Sequence, residues 1–263
     1  MDLKLKDKIA LITGSTAGIG YAIAAALARE GAAVIVNGRS QSAVDAAVAK
    51  LKRAGGAAVF GFAGDLGTAV AADSIAEQFP DVAILINNLG IFEAKPFEEI
   101  PDADWMRLFE VNVLSGVRLA RLYLPGMKRH NWGRIIFISS ESAIQIPVEM
   151  IHYGMTKTAQ LAVARGLAES VAGTGITVNS VLPAPTRSRG VEDFVSALAT
   201  SEGTSLAEVE RDFFKKVRPT SLIKRFATPE EVASLVAYLA SPLASATTGA
   251  ALRVDGGVIK SVV

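Results

Sequence analysis

Tyr153 and Lys157 form a pair that can carry out acid–base chemistry. They stand four residues apart, and on a helix this spacing puts both side chains on one face, a turn apart. A free phenol has a pKa of roughly 10, so its phenolate is scarce near neutral pH. A fixed ammonium nearby favours the phenolate and lowers that pKa, as proton transfer at ordinary pH requires. Alone the pair is weak evidence, because Tyr and Lys at this spacing also occur on solvated helix faces.

Residues 13–20 form a glycine-rich stretch that could hold a phosphate. The stretch follows a short apolar run at 8–12 and precedes an Ala-rich helical segment. Strand, glycine loop and helix in this order predict a phosphate site at the helix N-terminus. Gly14 permits the tight turn, while Gly18 and Gly20 let the backbone approach a pyrophosphate. The spacing is GxxxGxG and not the commoner GxGxxG, so a tight turn without a ligand is the alternative.

Arg39 is the residue from which the type of cofactor is predicted. It lies 19 residues after Gly20, just past a second predicted strand, close to where a dinucleotide fold reads the ribose. An acid there would hydrogen-bond the 2′-hydroxyl of NAD, whereas the guanidinium fork of Arg39 suits the 2′-phosphate of NADP. We therefore expect NADP, bound as NADPH, with NAD as the weaker candidate. The alternative is that Arg39 is an exposed loop charge.

Composition excludes several classes of function. The chain has 263 residues, 50% of them hydrophobic, and a formal charge of +1, which suits one large α/β domain and gives no hint of a nucleic-acid partner. The absence of Cys excludes disulfides, a thiol nucleophile and thiolate zinc sites, and two His make a histidine-rich metal site improbable. No apolar run is long enough to span a membrane and the N-terminus has no signal-peptide pattern, so we expect a cytoplasmic protein.

Strands and helices alternate along the whole chain. This pattern predicts an α/β fold: a single-domain Rossmann-type three-layer sandwich over 1–263, with a seven-stranded parallel sheet and helices on both faces. The strands are predicted at 8–12, 33–36, 57–62, 82–86, 134–139, 176–182 and 251–254. The helices are predicted from 18 to 30 and at 41–54, 68–79, 102–130, 153–172 and 228–240, with helical patches at 191–200 and 205–217. The segment 187–225 is expected to be a substrate lid.

Polar residues follow several of the predicted strands, at the edge of the sheet where ligands bind. Asp65, after the third strand, could cap the next helix or contact the adenine end of a dinucleotide. Residues 87–90 are Asn-Asn-Leu-Gly, which suits either a turn or the lining of the crevice. Asn112 falls inside a predicted helix, where Asn is a poor helix former, so it marks a site or is simply tolerated.

Together these motifs resemble the classical short-chain dehydrogenase/reductase (SDR) family. Residues 13–20 are similar to its TGxxxGIG, residues 87–90 to its NNAG and residues 153–157 to its YxxxK. Asn112 and Ser140 complete the family's catalytic tetrad. Ser140 is preferred over its serine neighbours because it lies 13 residues before Tyr153, the family's usual separation. The resemblance covers nearly the whole chain.

The resemblance implies an NADPH-dependent carbonyl reductase, which run backwards is an alcohol dehydrogenase. Tyr153 would give its proton to the carbonyl oxygen, and Ser140 would hydrogen-bond the same oxygen. Lys157 would lower the pKa of Tyr153 and hold the nicotinamide ribose. Asn112 would bind a water that links Lys157 to solvent. No metal is required.

The resemblance also assigns cofactor and substrate contacts. The cofactor-binding residues would be Gly14, Ser15, Thr16, Gly18, Ile19, Gly20, Asn37, Arg39, Ser40, Asp65, Leu66, Asn88, Gly90, Tyr153, Lys157, Pro183 and Thr186. The substrate pocket would be lined by Ile91, Glu141, Ile144, Ile151, Met155 and Pro185. Its apolar residues suggest a hydrophobic ketone or keto ester as the small-molecule substrate. Family members are often homotetramers built on the helices at 102–130 and 153–172, and we expect the same here.

Several residues depart from the family pattern or allow two interpretations. Leu89 replaces the usual Ala, and Ala184 stands where the family has Gly, which is harmless only if its φ is negative. Ala17 lacks the basic character seen in many NADP-preferring members, so the NADP prediction rests on Arg39. Glu141 either shapes substrate binding or is an exposed loop charge. His152 is interpreted as structural or as a pocket wall.

Two other functions are alternatives. A 3-oxoacyl-thioester reductase would need a basic surface for a carrier protein, and the candidates are Arg187, Arg189, Lys215, Lys216 and Arg218, which could equally form a solvated helix face. A dinucleotide-binding sensor without catalysis would keep the fold but would have no need of Tyr153 together with Lys157.

Overall fold

The computed structural model describes residues 2–55, 58–188, 191, 195–196, 199–201 and 203–262. The strands in these residues form one parallel sheet of seven strands in the order β3-β2-β1-β4-β5-β6-β7. The strands are β1 (Ile9–Ile12), β2 (Ala33–Gly38), β3 (Val59–Ala63), β4 (Ile84–Asn87), β5 (Gly133–Ile138), β6 (Ile176–Pro183) and β7 (Ala251–Val254). The predicted Rossmann-type fold is confirmed.

Helices cover both faces of the sheet. They are α1 (Gly18–Arg29), α2 (Gln41–Arg53), α3 (Ala69–Gln78), α4 (Asp102–Phe109), α5 (Ser115–Arg129), α6 (Ile151–Ser170), α7 (Leu206–Lys216) and α8 (Pro229–Ala240). Side chains alternate across each strand, so β1 sends Ala10 and Ile12 into the core under α1 and α8, and Leu11 into the core under α3, α5 and α6. A sheet buried on both faces explains why its strands read as continuous apolar runs.

The position of β1 determines where a ligand can bind. β1 pairs with β2 on one side and with β4 on the other, so the chain winds away from it in both directions. The loops after β1 and β4 therefore diverge and leave a crevice at the carboxyl ends of the strands. The glycine loop and residues 87–90 both lie at this crevice.

The predicted helix 102–130 is wrong in one respect. It is divided into α4 and α5 by a π-helical turn at Glu110–Leu114, which contains Asn112. The Asn112 amide accepts from the Ile91 N–H at 2.8 Å and donates to the Ile91 carbonyl at 2.9 Å. These bonds tie the turn to a separate loop, and a π turn at such a point is typical of functional sites.

Other boundaries shift slightly. Thr68, and not Asp65, caps α3, because its hydroxyl accepts from the Ala71 N–H. The patch at 205–217 is confirmed as α7, which Ser205 and Glu208 begin with a capping box. Half of the patch at 191–200 (residues 192–194 and 197–198) and residue 57 of the third predicted strand lie outside the described residues. Within the described residues no helix combines the length and apolar character needed to cross a membrane.

Candidate active site

The glycine loop after β1 adopts the geometry that its spacing predicts. Gly14 and Gly18 have φ values of +59° and +56°, in the left-handed region that favours glycine. A Cβ on Gly20 would lie 2.5 Å from the Gly14 carbonyl oxygen, so only glycine allows α1 to approach the loop this closely. The loop is therefore shaped by backbone requirements at three positions.

The N-terminus of α1 is suited to an anion. Its N-cap residue, Ala17, has no side chain that could accept from the first N–H groups, and the first turn holds no acid. By contrast, α2 and α3 begin with the capping hydroxyls of Ser40 and Thr68, which accept from N–H groups of their first turns. Free N–H groups with the positive end of the helix dipole fit the pyrophosphate of a dinucleotide.

Several predicted cofactor residues instead hold the loops in place. The Asn37 amide accepts from the Gly14 N–H at 3.0 Å and donates to the Gly64 carbonyl at 3.0 Å. The Ser15 hydroxyl donates to the Ile12 carbonyl at 2.6 Å and accepts from the Asn37 N–H at 2.9 Å. Both side chains are buried. Their bonding capacity is used within the protein, so a direct cofactor contact through these side chains has no support in the structure.

Asn88 joins the loop after β4 to the loop after β1. Its amide donates to the carbonyls of Thr13 and Gly14 at 2.9 and 3.0 Å. The Thr13 hydroxyl in turn accepts from the N–H groups of Asn88 and Leu89 at 2.9 and 2.8 Å. The two walls of the crevice are thus connected by four hydrogen bonds.

The predicted ribose-reading residues lie at the ends of β2 and β3. Arg39 is exposed, and within the described part of the chain it has no hydrogen-bond or ion-pair partner. Ser40 caps α2 by accepting from the Ala43 N–H at 3.4 Å. The Asp65 carboxylate is exposed and accepts from the Gly67 N–H at 3.0 Å, while Leu66 is buried in the core. Of this group, Arg39 has the greatest freedom to bind a ligand.

Lys157 and Tyr153 lie on the first turns of α6, as predicted. Lys157 is buried and its Nζ lies 5.6 Å from the centre of the Tyr153 ring. The ammonium donates to the Ile138 carbonyl at 3.0 Å and to Gln160 Oε1 at 3.3 Å, and it lies beside Gly90. No carboxylate in the described residues pairs with Lys157. Burial therefore lowers the pKa of Lys157 to about 8.

Gln160 is a site residue that the sequence reasoning missed. Its amide nitrogen donates to the Asn112 carbonyl at 2.6 Å while its oxygen accepts from Lys157. The Asn112 side chain also donates to Thr156 Oγ1 at 3.0 Å. Lys157 is therefore linked to Asn112 through a protein side chain. The spacing of Gln160 three residues after Lys157 was the available signal, since it places both on one helix face.

Ser140 follows β5 and lies beside a buried carboxylate. Its hydroxyl donates to Glu141 Oε2 and accepts from the Ser142 N–H at 3.1 Å. Glu141 is only 3% exposed, and its Oε1 lies 3.0 Å from Nε of Arg218, itself 7% exposed. The alternative that Glu141 is an exposed loop charge is therefore wrong, because the ion pair with Arg218 keeps it in the interior.

The structure shows what governs the pKa of Tyr153. Burial raises it above its usual value and the Glu141 charge raises it further, whereas Ser140 and Arg218 oppose the rise. The phenol is therefore held in its protonated form. Burial is the largest effect on this pKa in the structure. The lowering of the Tyr153 pKa by Lys157 stays a prediction.

The remaining predicted pocket residues differ in how far they are exposed to solvent. Ile91, Ile151, Met155 and Pro185 are half-buried, and Ile144 is exposed. Phe92, not predicted, packs edge-on against Tyr153 with ring centres 6.1 Å apart. His152 is fully buried against Trp105, with ring centres 5.8 Å apart, which agrees with a structural role.

The two substitutions relative to the family pattern are accommodated. Ala184 is buried, its N–H donates to the Val254 carbonyl at 2.8 Å, and its φ lies outside the left-handed region. The added methyl group therefore causes no backbone strain. Leu89 is half-buried and packs against the core under α3, α5 and α6. Its bulk is directed partly into the protein.

Of the basic residues considered for binding a carrier protein, Arg187, Lys215 and Lys216 are exposed. Arg218 is buried, Arg187 pairs with Glu210 at 2.6 Å, and Lys216 pairs with Asp212 at 2.6 Å. Arg189 lies outside the described residues. A cavity of about 870 Å³ does lie between α7 and the start of α8, but no tetrad residue lines it. Among the described residues, no group of three or more His, Asp or Glu side chains could hold a metal ion.

The buried Lys157 predicts a specific pH dependence of stability. Its pKa of about 8 in the folded protein lies below the usual 10.5, so the unfolded chain binds the proton more tightly. Burial of the charged ammonium therefore lowers the free energy of unfolding by its full amount below pH 8. This destabilisation disappears as the pH rises towards 10.5, so the protein gains stability over that range. We expect Lys157→Met to remove this gain, on the order of 3 kcal/mol, in urea unfolding measured from pH 7 to 10. Lys128→Met is the matched control, and an unchanged pH dependence in Lys157→Met would contradict the prediction.

Comparison with known proteins shows the family of the chain. A family model described as "Enoyl-(Acyl carrier protein) reductase" matches residues 14–259. The chain is 50% identical to the uncharacterized oxidoreductase YvaG of Bacillus subtilis over 100% of both chains. It is 32% identical to the 3-oxoacyl-[acyl-carrier-protein] reductase FabG of Aquifex aeolicus, over 98% of this chain and 100% of the relative.

The solved structures show the same similarity. The L-sorbose reductase of Gluconobacter frateurii, in a complex with NADPH and L-sorbose, superimposes with a TM-score of 0.94 at 32% identity, over 100% of both chains. With the family model and these relatives in agreement, the chain belongs to the short-chain dehydrogenase/reductase family, whose members are oxidoreductases that use NAD(P) and act on hydroxyl or keto groups.

Proposed function

We propose that the protein is an NADPH-dependent carbonyl reductase acting on a small ketone. The observation that carries the proposal is the meeting of Tyr153, Lys157 and Ser140 beside the crevice at the end of β5, with the phenol held protonated. A protonated phenol is the form that can give a proton to a carbonyl oxygen.

The roles of the chain's own residues follow from their contacts. Tyr153 gives its proton to the carbonyl oxygen, and bound NADPH supplies the hydride to the carbonyl carbon. Lys157 has a pKa of about 8, so it exchanges a proton near neutral pH. Gln160 accepts from its ammonium and is itself held by the Asn112 carbonyl. We propose that Tyr153 recovers its proton by way of Lys157.

The chain would hold the cofactor at three places. The free N–H groups at the start of α1 would bind the pyrophosphate. Arg39, without a partner in the described residues, would bind the 2′-phosphate. Lys157, beside Gly90, would bind the nicotinamide ribose. The segment 187–225 is proposed as the lid over the substrate.

Two other functions have less support than the carbonyl reductase. The similarity to FabG supports a 3-oxoacyl-thioester reductase, but most of the basic residues that would bind a carrier protein are paired or buried. A sensor that binds a dinucleotide without turnover has no use for a buried Lys157 that costs stability. The similarity to a ketose reductase adds ketoses to the candidate substrates.

The decisive experiment follows NADPH oxidation at 340 nm. The panel contains aryl ketones, keto esters, ketoses and an oxoacyl thioester. We expect turnover with a simple ketone, and Tyr153→Phe should lower kcat by roughly 10²- to 10⁴-fold because the proton donor is lost. The matched control is Tyr238→Phe, a partly exposed phenol on α8. NADPH binding without turnover on any carbonyl would favour the sensor instead.

Arg39 should decide the cofactor preference. We expect Arg39→Ala to raise the Kd of NADPH by roughly 10- to 100-fold, because one charged hydrogen-bonding partner of the phosphate is removed. The Kd of NADH should change little. Both are measured by nicotinamide fluorescence, with Arg53→Ala, at the far end of α2, as a control for loss of an exposed positive charge away from the predicted phosphate site. Equal effects on the two cofactors would exclude this role.

We also propose that the protein is a homotetramer in the cytoplasm. The outer faces of α5 and α6 form a groove of about 600 Å³, with apolar residues that include Val117, Leu124, Val163 and Leu167. These are the helices through which a second copy is expected to pack. Light scattering should give four times the chain mass of 27.5 kDa, and a monomer mass would contradict the proposal.

A further inference from the structure

The ammonium of Lys157 is buried and is held by neutral groups. The Ile138 carbonyl accepts from it at 3.0 Å and Gln160 Oε1 accepts from it at 3.3 Å. Loss of either acceptor would leave a buried charged donor unsatisfied, which is costly. Within the part of the chain that the structure describes, these two acceptors fix where the ammonium lies. Gln160 is the one of the two that is a side chain, so a substitution can remove it.

The amide of Gln160 is bound at its nitrogen as well as at its oxygen. Its Nε2 donates to the Asn112 carbonyl at 2.6 Å, and the side chain is 1% exposed. An ammonium can only donate and a carbonyl can only accept, so the amide oxygen must face Lys157 and the amide nitrogen must face Asn112. Glutamine satisfies both neighbours. An ionised glutamate would set an oxygen against the carbonyl, and an apolar side chain would satisfy neither.

The hydrogen bonds of Asn112 are made within the protein. The family resemblance assigns to Asn112 a water that links Lys157 to solvent. The side-chain amide of Asn112 uses both of its hydrogens, on the Ile91 carbonyl and on Thr156 Oγ1, and its oxygen accepts from the Ile91 N–H. Its main-chain carbonyl accepts from Gln160. The amide of Gln160 therefore connects Lys157 to Asn112, as that water would.

An amide and a water differ in whether they can pass a proton on. A water accepts and donates through the same oxygen, whereas Gln160 accepts at Oε1 and donates from Nε2. A proton could cross the side chain only if the amide rearranged to its imidic acid form, which is far higher in energy. The other side of Lys157 faces Gly90 and Tyr153 at the crevice. A proton can reach the ammonium there without crossing the amide.

We propose that Gln160 is a positioning residue that holds the Lys157 ammonium directly and takes the place of a water between Lys157 and Asn112. Lys157 then exchanges its proton on the side of the crevice. The inference rests on the proposed carbonyl reductase function, because it concerns how Tyr153 recovers its proton.

The titratable and charged groups around Lys157 are relevant because the test uses pH. Tyr153, on the same helix, has its ring centre 5.6 Å from the ammonium nitrogen. Glu141 and Arg218 act on the pKa of Tyr153. In the described residues, β5, the π turn and the loop after β4 present neutral backbone and amide groups to the ammonium. Burial is the cause of the lowered pKa of Lys157.

The first test measures how Gln160 affects the pKa of Lys157, by urea unfolding between pH 6 and 10. Stability begins to rise with pH at the pKa of Lys157 in the folded protein, about 8, because above it the unfolded chain binds more protons. Gln160→Leu removes a neutral acceptor, so this onset should move to lower pH, with a roughly 3- to 10-fold loss of proton affinity. Gln160→Glu sets a negative charge beside the ammonium, so the onset should move up by roughly one pH unit or more.

Opposite shifts in the two variants distinguish a contact with Lys157 from a loss of packing, which would lower stability at every pH alike. Gln78→Leu and Gln78→Glu are the matched controls, since Gln78 is exposed at the end of α3 and should leave the onset at the wild-type pH. If the buried carboxylate prevents Gln160→Glu from folding, Gln160→Leu still gives its shift. An onset at the wild-type pH in Gln160→Leu would overturn the inference.

The second test compares crystal structures of the wild-type protein and of Gln160→Ala, at a resolution that shows ordered water. In the wild-type protein the amide should contact Lys157 and Asn112 directly. In Gln160→Ala a water should lie within hydrogen-bond distance of Lys157 Nζ and of the Asn112 carbonyl, because the space left is lined by polar partners. A wild-type structure in which Gln160 is turned away and a water joins Lys157 to Asn112 would contradict the proposal.

Neither test depends on turnover. A wild-type protein that oxidises NADPH with no carbonyl would contradict the proposed function. The shifts in onset and the two crystal structures would still decide whether Gln160 holds Lys157, so the two failures can be told apart.

Discussion

The pairing of β1 with β2 on one side and β4 on the other is the constraint on which the site depends. It forces the following loops apart at the carboxyl end of the sheet. Thr13 and Asn88 then join these loops through hydrogen bonds between side chains and backbone. The two walls of the crevice are therefore held together by contacts within the protein, and such pre-organisation reduces the cost of ordering a cofactor.

Within that crevice, burial away from water sets the pKa values of the titratable side chains. Lys157 is surrounded by neutral acceptors, the Ile138 carbonyl and Gln160. With no carboxylate beside it among the described residues, burial alone brings its pKa to about 8. Tyr153 is affected in the opposite sense, because burial disfavours its charged form. The pKa values of Tyr153 and Lys157 are thus both shifted by burial, and in each case burial favours the neutral form.

Family membership leaves the substrate open, because the fold positions the tetrad and other residues shape the pocket. Here the wall behind Ser140 is charged and not apolar, since Glu141 and Arg218 form a buried pair. Arg218 comes from the segment after α7, which is far from Ser140 in sequence. The wall behind Ser140 therefore combines a residue from the end of β5 with one from the segment after α7.

The sequence by itself determined the order of strands and helices and the glycine loop, because these depend on local spacing and on apolar periodicity, whereas the tetrad assigned from the resemblance stays a prediction. Gly14, Gly18 and Gly20 are examples: their conformations follow from a turn of fixed length between a strand and a helix. The π turn at Asn112, the link through Gln160 and the burial of Glu141 were decided only by the tertiary structure. Each depends on a partner far away in sequence, namely Ile91, the Asn112 carbonyl and Arg218. Local pattern cannot show such contacts, since a charge beside a serine reads the same whether water or an arginine faces it.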